Sequence, residues 1–181
     1  MADVLKDIFE NVNNWLKFAE AKNATLVAGN GLLIFGVLKT IHDLKIDNYL
    51  LWYIYFCLAL FSLSLVIALI SFIPKIRIPT FLLNSDIETS DNLLFYGHIL
   101  KYNEKTLLEK LKSTIKEENH ETSDEFQMMY AQQIIINSKT TRNKFELFNI
   151  AIKFTLSGIV SPVLYFLFIH FFIEKEVSKI D

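Results

Sequence analysis

No Asp, Glu, Lys or Arg occurs between Asn48 and Pro74, and the run YLLWYIYFCLALFSLSLVIALISFI within it is the strongest hydropathy signal in the chain. Such a run is long enough to cross the roughly 30 Å hydrocarbon core of a bilayer as a helix. Tyr49, Trp52, Tyr53 and Tyr55 gather at one end, as interfacial aromatic anchors do. Pro74 and Pro79 end the helix, with Lys75 and Arg77 at the boundary. Lipid, rather than a protein core, is the solvent this segment asks for.

Two further spans follow from the same reasoning. NATLVAGNGLLIFGVL, residues 23–38, carries no charge. As helix it rises about 24 Å, and snorkelling by Lys22 and Lys39 with extension through Ile41 completes a crossing over 23–41. Asn30 sits in mid-span between Gly29 and Gly31. An amide in lipid needs a partner, and small neighbours let another helix approach. Asn30 is therefore either interhelical glue or a pore-lining, gating group. The third span covers residues 148–173, with Lys153 near one end and Pro162 expected to kink it.

The remaining segments are helical and polar on one side. In residues 1–22, Leu5, Ile8, Phe9, Val12, Trp15, Leu16 and Ala19 repeat at three- and four-residue steps. The opposite face mixes acid and base, so the apolar stripe is expected to pack on other helices. Residues 74–147 form a helical segment. DNLLFYGHILKYN reads as a short helix or tight turn, and Asn103 caps a helix over 104–118 with Leu107, Leu108, Leu111 and Ile115 on one face. EENHE reads as a solvated turn, and TSDE at 122–125 as a capping box. With no Gly or Pro from there to Gly158, one long helix should run directly into the third span. The tail is 174–181. Basic residues concentrate before span one and in the middle segment, which places both in the cytoplasm. The fold class is all-α: three transmembrane helices and a helical cytoplasmic segment.

Composition narrows the function. The formal net charge of -2 offers no bulk attraction to nucleic acid. The single cysteine, Cys57, lies in an apolar run, so one chain has no disulfide framework. His42, His98, His120 and His170 are scattered, and none stands at metal-ligand spacing. No Gly-rich phosphate loop, HExxH or nucleophile elbow occurs. No metal, cofactor or enzymatic activity is expected. His98 is open to two readings. It is a packed histidine, or it lines a ligand pocket with Asn92 and Tyr96, where aromatic faces stack a base and amides read its edge. Lys101 or Lys144 would then neutralise a phosphate.

Three stretches carry a family resemblance. WLKFAEAKNATLVAGNGL, with Trp15, Phe18, Ala19, Glu20, Lys22, Ala24 and Asn30, is similar to the opening of the Pycsar transmembrane effector family. NLLFYGHI, Asn92 to Ile99, resembles that family's most specific stretch. Gln132-Gln133-Ile134, Asn137-Ser138 and Lys144-Phe145 resemble its long helix, although Asn137 stands where an apolar residue is usual. The resemblance implies a bacterial anti-phage effector in the inner membrane, switched on by a cyclic pyrimidine mononucleotide (cCMP or cUMP) made by a partner pyrimidine cyclase. Such an effector impairs membrane integrity and aborts infection. Contact with membrane lipid and homo-oligomerisation follow, because three helices are too few to enclose a pore. Two other readings are an effector of a related nucleotide-signalled defence with another messenger, and a non-enzymatic membrane scaffold.

Overall fold

The structure, a computed structural model, describes residues 1–43, 48–73, 87–115 and 124–177. Among the described residues five helices follow one another: α1 (Ala2–Asp43), α2 (Asn48–Ile70), α3 (Tyr96–Ile99), α4 (Glu104–Ile115) and α5 (Asp124–Val177). There is no strand among the described residues. The chain divides into two compact units: Met1–Lys22 with Ser71–Glu146, and Asn23–Ile70 with Leu147–Asp181. Helices α1 and α5 contribute residues to both. The expectations for Pro74, Lys75, Arg77, Pro79, the EENHE turn with His120, and Thr122 and Ser123 of the capping box lie outside the described residues. The side chains of His42 and His170 lie outside them too.

The first unit is built on a water-excluding core. Leu5, Ile8 and Val12 recur at three- and four-residue steps on α1 and are fully buried. They join Leu107, Leu108 and Leu111 of α4 and Ala131, Ile134 and Ile135 of α5, with Ile99 and Tyr102 beside them. Each fully buried large aliphatic side chain contributes about 1.5–3 kcal/mol relative to exposure. The amphipathic stripe of α1 thus packs on protein, as its mixed-charge outer face required. Asn103 starts α4: its Oδ1 accepts from the Thr106 N–H at 2.9 Å, and Thr106 Oγ1 accepts from the Asn103 N–H at 3.0 Å. That is a reciprocal capping box with Thr in the place of the usual Glu or Gln. Of the two readings of DNLLFYGHILKYN, a short helix or a tight turn, the structure has a short helix, α3.

The second unit obeys a different rule. Leu32, Phe35, Trp52, Phe56, Leu167 and Phe168 are exposed. In water they would form a costly patch; in lipid they face their own solvent. Three helices are long and apolar enough to cross a membrane: Ala2–Ile41, Asn48–Ile70 and Glu125–Phe168. Apart from Leu26 and Phe61, the buried seam is made by small and polar residues: Asn23, Leu26 and Asn30 on α1, Cys57, Phe61, Ser64 and Ala68 on α2, and Ala151 and Thr155 on α5. Their spacing of three and four residues keeps each set on one helix face. Gly158 on α5 is required by close approach, because a Cβ there would lie 2.6 Å from the Phe61 ring of α2. Helix packing in lipid gains from such small residues, since apolar bulk alone gives no preference for protein over lipid.

Leu107→Ala tests the first unit's core. Truncating a fully buried Leu costs about 2–5 kcal/mol. Thermal unfolding of the detergent-solubilised chain should show a clear drop in midpoint, with the helix content of the folded state unchanged.

Candidate functional site

The residues from Asp91 to Tyr102 close a tight polar loop around one carboxylate. Asp91 Oδ1 accepts from Lys101 Nζ at 2.7 Å. Its Oδ2 accepts from Tyr102 Oη–H at 3.0 Å and from the Glu88 N–H at 2.9 Å. The Asp91 side chain is 1% exposed and that of Lys101 11%. The bond from Lys101 holds the Asp91 carboxyl down to about 2, with the Glu88 and Tyr102 bonds acting the same way. Burial, then the neighbouring Asp91, pushes the Tyr102 hydroxyl up to about 12. The Lys101 charge is therefore spent on the loop itself.

His98 joins the same loop from the other side. Its Nδ1 accepts from the Asn92 N–H at 2.9 Å, and Asn92 Oδ1 accepts from the Leu94 N–H at 2.9 Å. An accepting Nδ1 leaves Nε2 to carry the proton of the neutral ring. His98 Nδ1 also lies 3.9 Å from Asp91 Oδ1. Asn92, His98 and Lys101 are thus brought together, and their polar atoms first of all fix the loop's shape.

The loop holds an aromatic cluster in place. Trp15 of α1 is its centre, with ring centroids 6.4 Å from Phe18, 6.3 Å from Phe95, 5.7 Å from Tyr96 and 6.4 Å from Phe145. Tyr96 stacks on Phe145 of α5 at 5.6 Å and 16°. Phe95 meets His98 edge to face at 5.3 Å. A Cβ at Gly97 would sit 2.5 Å from the Phe95 ring, so a larger residue there would push that ring aside. Burial raises the Tyr96 hydroxyl above its ordinary value. Phe18 and Phe95 keep part of their surface exposed. Lys22 Nζ lies 4.8 Å from the Phe18 ring centroid and 5.7 Å from that of Phe145. Flat π faces beside a cation are the chemistry that takes a planar base with an attached anion.

Lys144 lies on a separate set of partners. Its Nζ donates to Ser71 O at 2.9 Å, sits 3.2 Å from Glu20 Oε1, and is 5.4 Å from the Phe72 ring centroid, with the side chain 12% exposed. Trp15, Phe145 and Lys22 were not among the site residues that sequence reasoning picked. Their signal was nonetheless present, because all three belong to the stretches that carry the resemblance. Among the described residues, no three His, Cys, Asp or Glu side chains are grouped so that they could hold a metal ion.

In the second unit, Asn30 sits at the centre of a hydrogen-bonded knot. Its Nδ2 donates to Leu26 O at 3.0 Å and to Ser64 Oγ at 3.1 Å, and its Oδ1 accepts from Thr155 Oγ1 at 3.0 Å. Ser64 Oγ donates to Ala151 O at 2.7 Å and lies 2.8 Å from Thr155 Oγ1. One amide thereby ties α1 to α2 and α5. Pro162 lies inside α5. Having no N–H, it leaves the carbonyl of Gly158 without its usual helical donor.

Residues 4–171 match the family model of the Pycsar effector protein domain. No curated protein and no solved structure matches the chain.

Two expectations follow. Replacing Asn30 by Leu removes the interhelical amide bonds and should lower the stability of the helix assembly in micelles or bilayers by about 0.6–2 kcal/mol; reversible unfolding in mixed micelles reads this directly. Asp91 has a folded pKa below its unfolded one. The unfolded chain therefore binds more protons between about pH 4 and about pH 2, and the stability Asp91 contributes is full above that window and lost as pH falls through it. Asp91→Asn should be less stable than wild type at neutral pH and should converge on it in acid, as seen in melting curves across this range.

Proposed function

The chain belongs to the Pycsar effector protein domain family, and from that membership we propose that it is the membrane effector of a Pycsar anti-phage system, switched on by a cyclic pyrimidine mononucleotide from a partner cyclase. The observation that carries the reading is the aromatic cluster of Trp15, Tyr96 and Phe145 with Lys22 beside it. The base would stack on these rings and the phosphate would meet Lys22. Asn92 and His98 would read the base edge, with Lys101 and Lys144 holding the surrounding frame.

A ligand on this cluster touches α1 and α5, the helices that also carry Asn30 and Thr155. It activates the protein only if it binds one arrangement of these helices better than the other. Pro162 supplies a weak point in α5 at which that helix can bend. The action is physical rather than catalytic. Several copies, assembled in the inner membrane with the N-terminus and the 74–147 segment in the cytoplasm, open the bilayer and end the infection.

The test is reconstitution. Purified protein in liposomes should release a trapped dye when cCMP or cUMP is added, and not with the cyclic purine nucleotides. Aromatic stacking is worth about 1–3 kcal/mol per base, so Trp15→Ala and Tyr96→Ala should weaken calorimetric binding by about tenfold or more while the helical spectrum is kept. Unchanged binding in both folded variants removes the site; absence of leak with every cyclic nucleotide removes the function.

A further inference from the structure

The second unit contains a cavity of about 680 Å³, walled by α1, α2 and α5. Leu33 and Gly36 of α1, Tyr53 and Cys57 of α2, and Gly158 and Tyr165 of α5 are among its lining residues. Among the described residues, no Asp, Glu, Lys, Arg or His lines it. The space is apolar, and apolar cavities in proteins stay dry. Left empty, it would cost its lining the dispersion contacts that a packed neighbour supplies. The helices around it are lipid-facing: Leu32 and Phe166 of its lining are exposed, as is Phe35 next to Gly36 in the chain.

Its dimensions identify the occupant. Along α2 the lining runs from Leu50 to Phe61, a rise of about 16 Å at about 1.5 Å per residue. Half of a hydrocarbon core of about 30 Å is about 15 Å, so the cavity is one leaflet deep. At about 30 Å³ per water-sized group, its volume holds on the order of twenty methylene-sized groups, the bulk of a single lipid chain. One end carries the polar handles of an interface: Thr40 lines the cavity there, and Tyr53 stacks on Tyr165 at 5.0 Å. The other end is closed by Phe61 against Gly158. Charge, depth, volume and polarity gradient all match a hydrocarbon chain with its headgroup at the Thr40 and Tyr53 end.

We propose that this cavity is a binding site for one acyl chain of a bilayer phospholipid, seated between α1, α2 and α5 with its tip against Phe61 and Gly158. The proposal needs only that the spans lie in lipid and is independent of the messenger. Cys57 and Phe61, at 5% and 4% exposed, are among the cavity's most buried lining residues, whereas Leu32 and Phe166 at its rim are 74% and 72% exposed, so a label on Cys57 or Phe61 reports a chain that has entered the space and not one lying on the outer surface. The chain seated in the cavity therefore has its own chemical signature.

The full-length protein is reconstituted with a phospholipid carrying a diazirine midway along one acyl chain, irradiated, digested and mapped by mass spectrometry. Adducts are expected on Cys57 or Phe61 as well as on the lipid-facing Phe35 and Leu63. Gly36 lines the cavity and nothing lies within 4 Å of a Cβ added there, so Gly36→Phe is the variant chosen to fill the space. It should abolish the Cys57 and Phe61 adducts and leave those on Phe35 and Leu63 unchanged. Gly36→Leu serves in its place if Gly36→Phe does not fold. Adducts on Phe35 and Leu63 with none on Cys57, Phe61 or Gly158 overturn the proposal. So do floor adducts that persist in the folded Gly36 variant, and so do protein-to-protein crosslinks that show a second copy's side chain in the space.

Discussion

The amide of Asn30 is the constraint on which the membrane unit depends. In hydrocarbon there is no water to take up an unsatisfied donor or acceptor, and each such group costs several kcal/mol. Placing one amide in mid-span therefore leaves the other helices little choice of register. Ser64 must come opposite Asn30, Thr155 must come opposite both, and Ala151 must present its carbonyl to Ser64. Sliding any helix by one residue leaves polar atoms facing lipid. Apolar side chains impose no such penalty, because lipid suits them as well as protein does. The small residues on either side of the knot, Ala68 and Gly158 among them, then follow from the need for the helices to come close enough to bond.

The first unit answers a different solvent with different means. Water drives Leu5, Ile8 and Val12 onto α4 and α5, and the carboxylate of Asp91 fixes the loop that presents Tyr96. Two side chains that looked available for a phosphate, Lys101 and Lys144, each reach their own carboxylate, Asp91 and Glu20. Lys22 lies over the Phe18 and Phe145 rings, and its length also suits it to the membrane boundary. Asn137 finds its reason here too. Its Nδ2 donates to Asn13 Oδ1 at 2.8 Å, so the polar side chain that departs from the family pattern has a bonding partner on α1.

The helices were legible because their signals are local. Charge-free runs announce the spans, three- and four-residue repeats announce the amphipathic faces, and Asn103 announces the start of α4. Asn30 advertised its need for a partner but not the partner's identity, since Ser64 and Thr155 lie 34 and 125 positions away. In a helix as uniformly apolar as α2, hydropathy does not say which face is buried; the sequence of small residues at Cys57, Ser64 and Ala68 does. Around the candidate site, NLLFYGHI marked the loop that carries Tyr96 and His98. Gly97 explains itself only once Phe95 is seen folded over it, and Trp15 and Phe145 join the loop through contacts that no local pattern encodes.

The knot at Asn30 also has an uneven supply of hydrogens. Ser64 and Thr155 own one hydroxyl hydrogen each, yet three oxygen contacts draw on them: Ser64 with Ala151, Thr155 with Asn30, and Ser64 with Thr155. Thr155 keeps its hydrogen on the Asn30 amide oxygen, whereas that of Ser64 can turn between the Ala151 carbonyl and Thr155 Oγ1. A cluster with that degeneracy is held firmly against being pulled apart but is lenient about which way its dipoles point. Small rotations of α5 can therefore be absorbed by turning the Ser64 hydroxyl, so the three helices stay tied while one direction of their tie is redrawn.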